Sequence, residues 1–273
     1  MSPSSTATLP DFDQPPVSEV VCGVLFKPIE EFLTPHVGLL WERFRSEFPR
    51  CEEVPPLVPI LESFEKRPNV AVEISTLPPF PRIWFVHATG NSVIQIQRDR
   101  FLVNWRRVQP GDEYPRYRKF IQMYRTHLSA FFDFLRETGL PSPSPSQYEM
   151  SYINHIPCGD GWKSFQEIGQ VFPDLSWRHK TSRFLADPEH FDWKTSFPLP
   201  DRAGRLRVSI TTGMRRQDDA PVLILDLTAR GMSPDASLDG MMRWHDLAHT
   251  WMVRSFEDLT SAGIQQSVWR KRS

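Results

Sequence analysis

Cysteine is scarce in this sequence: Cys22, Cys51 and Cys158 are the only three in 273 residues, far apart and in no CxxC pair. A set that is odd in number and this sparse excludes a disulfide scaffold, and reduced thiols in a cytoplasm are expected. Long apolar runs are missing as well. No stretch approaches the ~18–20 apolar residues of a membrane span. The opening segment, MSPSSTATLPDFDQPP, lacks the basic and apolar regions of a secretory signal. Neither sign of charge dominates, because 32 Lys and Arg nearly cancel 33 Asp and Glu. No global field therefore draws the chain to nucleic acid or to an anionic membrane. The phosphate-cradling patterns GxGxxG and GxxxxGKS/T are absent, as is the GxSxG nucleophile elbow. No cofactor and no catalytic residue are expected.

What the chain does have is apolar and aromatic bulk: 40% hydrophobic residues, with 19 Phe and 9 Trp. That is enough for one large core or two modest ones. Residues 1–16, rich in Ser, Thr and Pro, read as a flexible arm. Val17–Phe26 is a β-branched first strand. Thr34–Phe48 carries Val37, Leu40, Trp41, Phe44 and Phe48 at helical spacing, with Thr34 and Pro35 placed as N-cap and first helical residue. The stretch 49–81 is proline-rich and reads as loop around a short strand at Val70–Ile74. Arg82–His87, Val93–Gln97 and Phe101–Arg106 follow as an antiparallel meander. A long amphipathic helix over Tyr114–Thr138 closes at Gly139.

The run PSPSPS at 141–146 reads as a hinge. Beyond it come a strand at Gln147–Ile156, a short helix near Trp162–Val171, three strands at Phe191–Phe197, Leu206–Thr211 and Pro221–Ala229, and a helix over Leu238–Ser261. The expected class is α+β, with antiparallel sheets packed by long helices in two sheet-and-helix halves, 17–140 and 147–273.

Several phrases, in order, carry a family likeness: PPVSEVVCGVLF at 15–26, IQIQRDRFLVNWRR at 94–107, YPRY at 114–117, EMSYINHI at 149–156 and Trp269 near the end. Together they resemble a sporadically distributed bacterial family of about this length in which no catalytic residues are assigned. The patchy distribution implies horizontal transfer, and with it a place in phage defence or a toxin–antitoxin module.

Three groups of residues are candidates for chemistry. Gln95, Gln97, Arg98, Arg100 and Asn104, beside Asp99 on the polar side of the meander, pair with Tyr152 and Asn154 as a polar groove for a small ligand or peptide. Trp105, Arg106, Arg107, Arg116, Tyr117, Arg118 and Lys119 form a basic–aromatic run suited to phosphate pairing and base stacking. The alternative there is that Trp105 and Tyr117 are core anchors. His245 and His249, at i and i+4 with Asp246 between, imitate the HExxH zinc motif with a shorter carboxylate. His245, however, falls inside the apolar arc of its helix, where a core histidine is the ordinary reading.

The expectation is a non-enzymatic binding or regulatory protein whose partner is another protein encoded nearby, with self-association left open. Nucleic-acid binding through 104–119 is the alternative, and a metal-dependent hydrolase at His245 and His249 the third.

Overall fold

A computed structural model of the protein describes residues 8–62, 80–176, 184–186, 188–215 and 219–272. The chain begins with β1 (Val17–Phe26), then α1 (Thr34–Phe44), β2 (Arg50–Val54) and the meander β3 (Arg82–Val86), β4 (Ser92–Gln97) and β5 (Arg100–Arg106). The long helix α2 (Arg116–Glu137) leads to β6 (Pro145–Pro157). A single 3₁₀ turn at Phe165–Glu167 runs into α3 (Ile168–Val171). A second meander, β7 (Asp192–Pro198), β8 (Gly204–Met214) and β9 (Pro221–Gly231), precedes α4 (Leu238–Leu259) and α5 (Ala262–Ser267). Among the described residues no helix is long and apolar enough to cross a membrane.

The nine strands form one antiparallel sheet in the order β2-β3-β4-β5-β1-β6-β9-β8-β7. The α+β class is as expected, but the strands do not divide into separate sheets. β1 bonds to β5 on one side and to β6 on the other, with Val20 opposite both Trp105 and Tyr152. Alternation then assigns each strand two faces. Val20, Cys22 and Val24 join Ile94, Phe101, Val103, Tyr148, Met150, Leu225 and Leu227 in the main core under the helices. On the reverse face Val21, Leu25 and Leu102 form a small apolar cluster, and Val86 and Val93 are buried there as well.

Local chemistry explains where the elements begin and end. Pro35 sits in the first turn of α1, but the cap is Leu33, whose N–H donates to Nδ1 of His36 at 3.0 Å. Thr34 is thus inside the helix it was expected to cap. β2 arises within the stretch expected as loop. Its residues, Arg-Cys-Glu-Glu-Val, carry little β signal, and pairing with β3 (Cys51 opposite Phe85) holds it at the sheet edge. The strand expected at Val70–Ile74 lies outside the described residues. Of the Pro/Ser run, Pro145 and Ser146 already belong to β6, and the carbonyl of Ser144 accepts from Lys27 N–H at 3.0 Å. α5 has its own cap, the Ser261 hydroxyl accepting from Ile264 N–H.

The expected arm also has a structure. Residues 8–16 lie against the core, with Phe12 buried edge-to-face on Phe256 and Trp269 at centroid distances of 5.3 and 6.4 Å. Asp13 and Gln14 N–H donate to the carbonyls of Arg270 and Trp269. An aromatic side chain outweighs the compositional signal of the Ser, Thr and Pro around it, because burying it stabilises by a few kcal/mol.

At the end of β9 two backbones approach closely. A Cβ on Gly231 would lie 1.8 Å from the carbonyl oxygen of Ala203, which is backbone and cannot rotate away. Gly231→Ala should therefore cost ~1–3 kcal/mol, as overpacking does, read as a lower thermal midpoint. An unchanged midpoint would show that the β8–β9 end separates freely.

Candidate functional site

The two faces of the sheet divide the residues singled out in the sequence. Gln95, Gln97, Arg100 and Asn104 occupy the reverse, polar face, and all four are buried. Tyr152 and Asn154 belong to the helix-covered face, so they cannot line one groove with the others. In β6 the even-numbered residues from Tyr148 to Ile156 point toward the helices, and the sequence does not reveal which parity of one strand matches which parity of another.

On the reverse face the polar side chains form a network. Gln95 Oε1 accepts from Arg82 Nη1 and Trp84 Nε1, both at 3.0 Å, while its Nε2 donates to Asn104 Oδ1 at 2.6 Å. Asn104 Nδ2 donates in turn to Glu19. Burial pushes the carboxyls of Glu19 and Asp226 above their ordinary values, the bonds from Asn104 and Thr228 respectively opposing it. The Ser151 and Thr228 hydroxyls share a hydrogen bond of 2.7 Å. Arg100 makes a two-point ion pair with Asp99, both contacts 2.9 Å. Arg98 turns aside to the Phe32 carbonyl and Glu30.

Residues 55–62 (PPLVPILE) cross this face as a strap. Gln97 brackets one residue of it: Leu57 N–H donates to Oε1 at 2.8 Å, and Nε2 donates to the Leu57 carbonyl at 3.3 Å. Arg100 Nη2 donates to the same carbonyl at 3.0 Å. Gln147, from β6, repeats the arrangement, accepting from Glu62 N–H at 2.6 Å and donating to the Ile60 carbonyl at 2.9 Å. The Glu62 carboxylate, itself buried, pairs with Arg205 and Arg207 of β8. From Gln97 on β4 to Arg205 on β8 is five strand spacings, about 24 Å at the usual interstrand distance. Five residues extend to at most ~17 Å, so the strap is stretched out and long side chains make up the difference. Its apolar side chains point away: Val58 is 79% exposed, Ile60 59% and Leu61 53%.

The helix-covered face gathers residues from three separate candidates. Tyr152 from the expected groove, Arg116 and Tyr117 from the basic–aromatic run, and His249 from the zinc-like pair meet beside the arm. The Tyr114 and Tyr152 hydroxyls are 2.7 Å apart, and Tyr152 OH lies 3.2 Å from His249 Nδ1. Tyr117 stacks flat on His249, with centroids 3.7 Å apart and planes within 7°, and donates to Asp246 Oδ1 at 2.6 Å. Tyr124 and Tyr148 flank His245 at 5.0 and 6.2 Å. Four of the chain's five tyrosines thus touch these two histidines, and Tyr114 joins them through Tyr152. Burial keeps the phenols of Tyr114, Tyr117 and Tyr152 protonated, well above their usual value. Desolvation pushes both imidazoles down to about 4. A cavity of about 160 Å³ opens here, bounded by Phe12, Tyr152, Asn154, Leu227, His249 and Phe256 among others.

The remaining placements are simpler. His245 is wholly buried with Nδ1 2.8 Å from the Met241 carbonyl, and His249 is held by its tyrosines. Among the described residues no three His, Cys, Asp or Glu side chains are grouped to hold a metal. Of the basic–aromatic run, Trp105 is in the core, and Arg116 is bonded to Asp11, Phe12 and Asp13. Arg106 lies over Trp84 and donates to the Gly90 carbonyl, whereas Arg107, Arg118 and Lys119 are exposed. Gln147 and Glu62 were missed, because a lone polar residue in a strand or loop does not say what it bonds. The strap lies in the proline-rich stretch 49–81, whose prolines suggest an exposed segment able to drape over a partner but not the side chains that hold it.

No family model, no curated protein and no solved structure matches this chain.

Burial lowers four imidazoles, those of His127, His155, His245 and His249, and the last two, pushed furthest, contribute most to the response to acid. An unfolded histidine takes up its proton near pH 6.5, and native His245 and His249 only near 4. Between these values the unfolded chain binds more protons, so stability is greatest above the window and is lost as pH falls through it. Glu19 and Asp226, raised by burial, act in the opposite sense and offset part of the loss. His249→Phe, which keeps the stack on Tyr117, should flatten the acid limb by up to ~1.4 kcal/mol per pH unit. Urea midpoints at pH 4.5 and 7 test this. An equal drop in variant and wild type would show that His249 titrates freely.

Proposed function

We propose that this chain is a non-enzymatic binding protein and that residues 55–62 are the surface it offers to a protein partner. The observation that carries the reading is a separation of roles along one segment. The strap's backbone is bonded down by Gln97, Arg100 and Gln147, while Leu57, Val58, Ile60 and Leu61 are left exposed. Exposed aliphatic side chains in a row mark an interaction site rather than a core. Ordering a free segment costs about 1–2 kcal/mol per residue, and the buried glutamines meet that cost before any partner arrives. The spacing Pro56-Leu57-Val58-Pro59 suits a partner with an apolar, aromatic-lined groove that takes an extended proline-spaced segment.

The resemblance to a sporadically distributed bacterial family supports a partner encoded alongside this chain, in a defence or toxin–antitoxin setting. The division into two sheet-and-helix halves is supported by strand order. β3-β4-β5-β1 on one side and β7-β8-β9-β6 on the other run outward from the β1–β6 pair in the same sequence, and a long helix follows each meander.

Native mass spectrometry after co-expression with the flanking genes tests the reading. The wild type should carry one neighbour-encoded protein. Replacing Leu57, Val58, Ile60 and Leu61 together by Ser should weaken that complex at least ~100-fold, since each buried aliphatic side chain contributes about 1.5 kcal/mol or more, with the thermal midpoint unchanged. A bare wild-type monomer, or a complex that survives the fourfold change, overturns it.

A further inference from the structure

We propose that the cavity under the N-terminal arm is a binding site for a small uncharged molecule, one ring in size, with a single hydroxyl-type head group that makes one hydrogen bond. At about 160 Å³ it matches the ~150 Å³ apolar cavity known to admit benzene. Its walls are Phe12 from the arm, Leu227 from β9, and Met252, Val253 and Phe256 from α4. These are the surfaces of a hydrophobic core with the interior left open.

The polar lining comes from Tyr114, Tyr117, Tyr152, Asn154 and His249, with Asp11 and Arg116 from the clasp, and Asn154 Nδ2 already donates to the Leu225 carbonyl. The Tyr114 and Tyr152 hydroxyls and His249 Nδ1 form one chain of hydrogen bonds, which leaves His249 Nε2 bonded to no described residue. Nε2 therefore offers one hydrogen-bonding position beside apolar walls, and a hydroxyl, which both donates and accepts, completes it in either tautomer. Charged head groups are disfavoured from both directions. The low-dielectric setting that keeps His249 neutral opposes a cation and offers an anion no counter-charge. The charges at the rim are already paired, Arg116 with Asp11 and Arg272 with Asp11 and Asp13.

The arm is the way in. Phe12 covers the cavity, and the arm is held by Arg116, which donates to Asp11 Oδ1 at 3.1 Å and to the carbonyls of Phe12 and Asp13 at 2.7 and 3.2 Å. Arg116 adopts φ 65°, a left-handed conformation costly for a residue with a Cβ. It is maintained at the one position from which the guanidinium clasps the arm. Releasing the clasp should speed entry without altering the walls.

Calorimetry with p-cresol, benzene and benzoate on the full chain tests the site, and none of the variants touches the strap. p-Cresol should bind with Kd below about 1 mM, and benzoate at least tenfold more weakly. His249→Phe should weaken p-cresol about tenfold and leave benzene unchanged, because one hydrogen bond is lost and the walls remain. Val253→Trp, at the half-buried rim, should abolish both by filling the cavity. Arg116→Ala should accelerate association several-fold in stopped-flow tryptophan fluorescence, with Trp269 beside the moving Phe12 as reporter. The proposal fails if the wild type binds none of the three, if benzoate binds as well as p-cresol, or if Val253→Trp binds p-cresol like the wild type.

Discussion

The antiparallel pairing of β1 with β6 is the constraint on which the other elements depend. Val17–Phe26 and Pro145–Pro157 are separated by more than a hundred residues, yet their register from Glu19 opposite Ile153 to Leu25 opposite Gln147 joins two meanders into one sheet. Register in a sheet has a period of two, so a slip of one residue exchanges the faces of every side chain in the strand. Such a slip would carry Tyr148 and Tyr152 out of the core and bury Gln147 and Glu149 under the helices. The tyrosine cluster and the glutamine clamp would be lost together.

That shared dependence accounts for two kinds of polarity on opposite sides of one sheet. Under the helices, polar atoms belong to aromatic rings, Tyr and His, which bury a large apolar body with one hydrogen-bonding tip. On the reverse face they belong to amides and charged groups, Gln95, Gln97, Asn104, Glu19 and Gln147. These are affordable in burial only when each has a partner. Gln95 and Asn104 find theirs in neighbouring strands. Gln97 and Gln147, at the end of the sheet where the strap crosses, find theirs in backbone N–H and C=O groups. The strap and the sheet thus satisfy each other's buried polar groups, which fixes an otherwise irregular segment without a hydrophobic anchor.

Beside the cavity the arm and the C-terminal tail are likewise mutually dependent. Phe12 packs between Phe256 and Trp269, and Lys271 and Arg272 reach back to the arm through a β-bridge and ion pairs. Residues 8–16 and 269–272 therefore close the same part of the core.

The strands of both meanders, the two long helices and the placement of His245 in the apolar arc of α4 were legible in the sequence, because period-2 and period-3.6 alternation is a local property. Strand β2, the docked arm and the convergence of Arg116, Tyr117, Tyr152 and His249 were not. Each depends on pairing between segments distant in the chain, and alternation tells which residues of a strand share a face but not which face another strand will match. The sequence by itself determined most of the elements and their amphipathic sides. Only the tertiary structure decided that Gln97 and Gln147 would hold a strap while Tyr152 and His249 would border a cavity, because that choice lies in the register of β1 against β6.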